Sequence, residues 1–298
     1  MIALLNSELR RLLSRPLFRL AALAMLAGVL VGGLITFAST SSMSESSYQS
    51  KISAEMQRCV ARGVVPPQGG PRQNSPEFCR RWAREGISDP RLHLAKAHDR
   101  LEYAVAPLVI FGWLIGASSV GGEWQSRGMT SLLTYESRRM RVFLAKLLAS
   151  GWLVFGGAVL AMVAWLGAIL PSLYAHGGAE AITGSWYGEQ IQAVLRAGVL
   201  AVFGMALAFS LAFVGRSTAF ALGVGFAYVV VAENVIASGL PGWRRWLLLG
   251  NAIVFAEGKD NAPPIDHRTV LQAAIFLGVV ALTLVVGAYG AFQQQEVT

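Results

Sequence analysis

Residues 121–146 read GGEWQSRGMTSLLTYESRRMRVFLAK, a polar and basic segment set between two strongly apolar runs. Within it Trp124, Met129, Leu132 and Leu133 recur at helical spacing, so a short helix here presents one apolar stripe on an otherwise polar, cationic surface. Such a stripe suits a groove on another protein. Arg138, Arg139, Arg141 and Lys146 crowd the start of the next apolar run, as expected where a helix enters a bilayer from the cytoplasm. Outward from this inner loop, 101–120 and 142–170 are each long enough to cross ~30 Å of hydrocarbon at about 1.5 Å per residue.

The remainder of the chain repeats that pattern. Of 298 residues, 54% are hydrophobic and only 14% charged, with a mean hydropathy of +0.50, which excludes an ordinary soluble domain. The net charge of +8 does not point to nucleic acid, because Lys and Arg gather at the ends of apolar runs and in one hydrophilic region, not along an aromatic-studded groove. They read as topology signals and contacts to anionic lipid. The expected fold is an all-α polytopic membrane protein with six transmembrane helices.

Residues 1–16 are amphipathic, with Ile2, Leu4, Leu5, Leu9, Leu12 and Leu13 set against Asn6, Glu8, Arg10 and Arg11, and predict an interfacial helix broken at Ser14-Arg15-Pro16. Span 1 follows at 17–38. A cleaved signal peptide is the rival reading, but the run is longer than a usual signal core and an amphipathic segment precedes it. Gly28 and Gly32 form one small-xxx-small pair in this span, and Gly112 and Gly116 form another in span 2, where Pro107 predicts a kink.

Residues 39–100 are the one sizeable hydrophilic region, an extracytoplasmic loop that caps more than it forms a domain. It holds both cysteines, Cys59 and Cys79, and an even pair in one loop favours a disulfide outside the cytoplasm. Asp89-Pro90 reads as a helix start running on into span 2. His93 and His98 fit no zinc spacing and read as a solvated helix face.

Span 3, at 142–170, ends at Pro171. The loop after it, PSLYAHGGAEAITGS, has no Lys or Arg and is therefore external, with Trp186 and Tyr187 at the next boundary. Span 4 covers 191–214 and holds Arg196, which either snorkels to the outer interface or lines a substrate path and meets Glu233. Span 5 covers 218–238 and carries Glu233 near its outer end. Residues 241–266 form an interfacial or re-entrant segment, amphipathic through Pro241, Trp243, Arg244, Arg245 and Trp246 and broken over 251–267 by Pro263-Pro264; span 6 is 270–292. With both termini inside, Arg10, Arg11, Arg15, Arg19, Arg127, Arg138, Arg139, Arg141, Lys146 and Arg216 lie in or beside short cytoplasmic segments.

Taken together, Gly122-Glu123-Trp124, Leu132-Leu133-Thr134, Arg138-Arg139 and Lys146 closely resemble the first cytoplasmic loop of permease subunits of the type-2 ABC exporters. The segments ELRRLLSRP at 8–16 and AYVVVAENVIASGLPGWRRWL at 227–247 resemble the same family's N-terminal segment and its passage from fifth span to outer-leaflet helices. Ser137 stands where such loops commonly have proline. The resemblance implies a plasma-membrane permease whose 121–141 loop is a coupling helix. In that reading Glu123, Trp124, Met129, Leu132, Leu133, Arg138 and Arg139 dock on a separate ATPase.

It further implies two cytoplasmic ABC ATPase subunits and a second permease, identical or related, as partners, with membrane lipid around them. ATP and Mg would be bound by the partner and no cofactor by this chain. The mostly apolar spans fit an amphipathic, drug-like or lipid-like substrate moved out of the cytoplasm. No phosphate-binding G-x-x-x-x-G-K-[ST] occurs, nor any H-E-x-x-H, C-x-x-C or G-x-S-x-G, so the chain is not expected to hydrolyse ATP by itself or to be an enzyme. A non-transporting scaffold or sensor, and an ion-coupled carrier with Glu233 and Arg196 as its titratable network, are the competing classes.

Overall fold

In a computed structural model the described residues are 2–41, 43–64, 73–86, 94–136, 138–176, 184–261, 265 and 267–295. They are helical almost throughout: α1 (Ile2–Ser14), α2 (Pro16–Ser39), α3 (Glu45–Arg62), α4 (Pro76–Gly86), α5 (Leu94–Gln125), α6 (Gly128–Tyr135), α7 (Arg139–His176), α8 (Gly184–Gly215) and α9 (Thr218–Ala227) come first. A π-helical turn (Tyr228–Ala232) then leads into α10 (Glu233–Gly239), a 3-10 helix (Pro241–Trp246), α11 (Leu248–Glu257) and α12 (Val270–Gln294). Six helical stretches are long and apolar enough to cross a membrane: Pro16–Ser39, Ala104–Gln125, Arg139–His176, Trp186–Gly215, Thr218–Gly239 and Val270–Gln294.

The chain divides into two compact units, one of Met1–Leu30, His98–Leu166 and Thr183–Thr298, the other of Val31–Ala97 and Gly167–Ile182. In the first, α8 is the central helix, with 72% of its apolar window buried against 11% for α2 and α12. Its inward face is made of small residues, Ala197, Ala201, Ala208 and Ala212, all fully buried. That face lets α5 approach at backbone distance. A Cβ on Gly112 would lie 2.1 Å from the Ala201 carbonyl oxygen, and one on Gly116 2.2 Å from that of Met205. The Gly112/Gly116 pair is therefore a contact between helices, as its spacing predicts, whereas Gly28 faces open space. Beside this seam Phe143 of α7, Phe209 and Phe213 of α8 and Phe292 of α12 pack ring on ring, with centroids 4.9–6.4 Å apart.

In the second unit α3 and α4 form a hairpin, so the flanks of the hydrophilic region are helical. Serine caps α3, through Ser44 accepting from the Ser47 amide. Ile52, Cys59, Cys79 and Ala83 are its buried core, Cys59 and Cys79 are joined as a disulfide, and Val64 pairs with Gln73 in an antiparallel bridge. The ends of α2 and α7 also meet in this unit, where the Thr40 hydroxyl lies 3.0 Å from His176 Nδ1 and a Cβ on Gly33 would lie 2.9 Å from that of Ala168.

Three sequence boundaries are corrected. Pro171 lies inside α7, which continues to His176; proline costs one ladder hydrogen bond but need not end a helix embedded among others. Span 5 is interrupted by the π turn, whose freed carbonyls at Val229 and Val230 accept from the Asn234 amide at 3.1 and 3.0 Å. Residues 251–257 are helical and not part of a break, because Asn251 turns its polarity inward: fully buried, it donates to the Arg245 and Leu247 carbonyls and accepts from Arg268 Nε. The helix start at Asp89-Pro90, His93, Ser137 and Pro263-Pro264 lie outside the described residues, although α5 does run unbroken from Leu94 through Pro107.

Candidate functional site

The corner between α5 and α7 is built on charges that the apolar helices bury. Glu8 lies on α1 at the spacing of Leu5 and Leu12, so it shares their inward face. Lys146 lies two turns into α7, and Glu123 sits in the last turn of α5. Lys146 Nζ donates to Glu8 Oε2 at 2.9 Å and is ion-paired with Glu123 Oε2. Arg15, in the break between α1 and α2, reaches Glu123 Oε1 at 2.6 Å and the Ser118 carbonyl at 2.5 Å. Lys146 is 1% exposed, Glu8 3% and Glu123 6%. Lys146 thus bridges two buried carboxylates, while the more exposed Arg15 and, at 3.6 Å from Glu8 Oε1, Arg11 complete the charge balance from the rim; taking away the buried lysine costs several kcal/mol. The cluster ties α1 and the start of α2 to α5 and α7.

Beyond it the chain leaves α5 at Gln125 and turns through Arg127, a non-glycine residue in the left-handed region at φ 56°, to start α6. Met129 (0% exposed) and Leu132 (8%) point into the chain's own core, with Trp124 and Leu133 partly buried against it. Arg216, in the turn between α8 and α9, lies over the Trp124 ring at 5.1 Å. Arg139 Nη1 donates to the carbonyls of Phe292, Gln293 and Gln295, closing the end of α12.

The Trp124–Leu133 stripe, expected to be offered to another protein, is thus covered wholly or in part by the core of this chain. Spacing identifies a helical face but not what covers it, and here the core of the same chain does. Glu123 and Arg139 are likewise engaged inside the chain, while Arg138 is exposed. The face of α6 that remains open carries Ser131, Thr134 and Tyr135, the tyrosine 90% exposed. Sequence reasoning missed the ion pairs of Glu8 and Arg15, and took Lys146 for a topology signal at the cytoplasmic entry of span 3. The available signal was a lone acid at leucine spacing on α1 and a lysine flanked by FLA and LLA.

Arg196 and Glu233, the charges inside the spans, are not paired with each other. They sit at opposite ends of α11. Glu233 Oε1 accepts from the Leu249 amide at 2.7 Å and the Tyr228 hydroxyl oxygen from that of Leu248 at 3.3 Å, supplying the N-terminal cap that Leu247 cannot. Arg196 donates to Gln192 Oε1 and lies against Gly258, the left-handed C-cap of α11, where a Cβ would fall 1.4 Å from its Nη1. An anion at the positive end and a cation at the negative end suit the helix dipole. Next to Glu233 a cavity of about 320 Å³ opens among Trp113, Phe203, Leu207, Tyr228, Leu249 and Leu284 and is apolar almost throughout. Among the described residues no group of three His, Cys, Asp or Glu side chains is placed to hold a metal.

No family model matches this chain, and neither a curated protein nor a solved structure does. What the fold defines is a class: among the described residues it is helical almost throughout, with six helices able to span a membrane, consistent with a multi-pass membrane protein, and a disulfide-linked helical hairpin.

Proposed function

We propose that the chain is the permease subunit of an ATP-driven exporter, embedded in the plasma membrane with both termini in the cytoplasm. It pairs with a second permease, and two ATPase subunits dock on α6. The observation that carries this reading is the buried Glu8–Lys146–Glu123–Arg15 cluster at the base of α6. A short helix hung between two long apolar ones, with its base locked to α1, α5 and α7, passes a push on its open face to several spans at once. A loop that only marks topology has no need of charges this deeply buried.

The docking face in this reading is Ser131, Thr134, Tyr135 and Arg138, with Arg127 beside it, and not the buried stripe. The apolar cavity beside Glu233 supports an amphipathic or lipid-like substrate. The carrier reading loses ground, since its two titratable residues cap α11 from opposite ends. Co-purification in mild detergent tests the proposal. A stoichiometric Walker-type ATPase, lost on Tyr135→Asp while the chain stays folded, is expected; a chain that purifies alone, without nucleotide hydrolysis, overturns it.

A further inference from the structure

On α4, Glu77, Arg80, Arg81 and Arg84 follow the i, i+3, i+4, i+7 spacing of one helix face and together line a single surface hollow. The opposite face of α4 is fixed, because Cys79 and Ala83 are fully buried against α3 and the disulfide holds Cys79 in place. The guanidinium groups are therefore displayed from a braced helix. All three arginines are exposed, and none has an ion-pair partner among the described residues. Glu77 is the one acid among the four side chains of the hollow. Like charges a turn apart on a helix repel, and one acid against three arginines leaves the face with a net positive charge.

We propose that this arginine face binds the phosphates of anionic lipid headgroups at the membrane surface. Guanidinium donates in a planar fork that matches phosphate oxygens two at a time. Beside the arginines, Phe78 and Trp82 stack with centroids 6.4 Å apart and are only partly buried, the aromatic partner that arginine keeps at a headgroup layer. The hairpin is also short-tethered. α2, apolar enough to span, ends at Ser39 and α3 begins at Glu45, a gap that reaches about 20 Å at full extension. The tether keeps the start of the hairpin close to the end of an apolar helix able to span a membrane. The site does not depend on the exporter reading.

The test uses the full chain in nanodiscs of phosphatidylcholine, alone or mixed with phosphatidylglycerol, and follows hydrogen exchange of the peptide covering 76–86. Phosphatidylglycerol is expected to slow exchange there, with protection falling about fivefold for each arginine changed in the series Arg80→Gln, Arg81→Gln and Arg84→Gln. The Arg→Lys versions, which keep the charge but lose the fork, should retain part of the protection, more than the Gln versions, and high salt should remove it. Exchange across α3 and an intact Cys59–Cys79 bond report that each variant is folded. Equal exchange in the two discs, or protection indifferent to the Gln series, overturns the proposal and leaves an acidic protein as the partner. Equal protection by inorganic phosphate in phosphatidylcholine discs overturns the lipid source in favour of a free anion.

Discussion

Two groups of charges in this chain are built in opposite ways. At the base of α6, Glu8, Lys146 and Glu123 are sunk among apolar helices and, with the partly exposed Arg15, neutralise one another; on α4, Arg80, Arg81 and Arg84 stand in the open with one acid beside them. The contrast separates two uses of charge. A buried, balanced cluster is costly to break and so fixes the relation of the elements that contribute to it. An exposed, unbalanced one contributes little to the fold and has binding as its remaining use.

That difference can be broken in graded steps. Lys146→Met removes the one fully buried cation from between Glu8 and Glu123, leaving them only the more exposed Arg11 and Arg15, and is expected to destabilise the chain by about 3 kcal/mol, read as a large fall in thermal unfolding temperature in detergent. Exchanging Glu8 for leucine in the same variant should recover part of the loss, a non-additivity that a double-mutant cycle measures. Next in size, Cys59→Ser with Cys79→Ser opens a loop of 20 residues and should cost the α3–α4 hairpin about 3 kcal/mol, seen as faster exchange there with α8 unaffected. Smaller again, Glu233→Ala removes the cap of α11 at about 1 kcal/mol, and Glu233→Gln, which keeps an acceptor for the Leu249 amide, should cost less. The smallest change is expected from Arg81→Gln, which should leave the unfolding temperature where it was. A large loss there would place the arginine face with the buried cluster and erase the contrast.

How much of this was readable beforehand follows the same division. The spans were legible because a run of about 20 apolar residues has few other destinations. The disulfide was legible from an even pair of cysteines in one hydrophilic region, and the α5–α8 seam from the spacing of Gly112 and Gly116. What could not be read is which neighbour a face meets. The stripe of Met129 and Leu132 looks the same whether a partner or the chain's own core covers it. Glu8 looks like one more polar residue on an amphipathic helix until Lys146, 138 positions away, is brought beside it. For Arg196 the sequence left snorkelling and a pair with Glu233 both open; the short helix that the two residues cap from opposite ends was hidden, because its second half falls in 251–267, which reads as a break.

The most direct measurement of the central claim is photo-crosslinking in intact membranes from a reactive residue placed at Tyr135, which is 90% exposed on α6. Crosslinks to a cytoplasmic ATPase, stronger or weaker with nucleotide and reduced in Lys146→Met, are the expected result. Crosslinks to lipid alone, or an ATPase crosslink that ignores the state of the buried cluster, would contradict it.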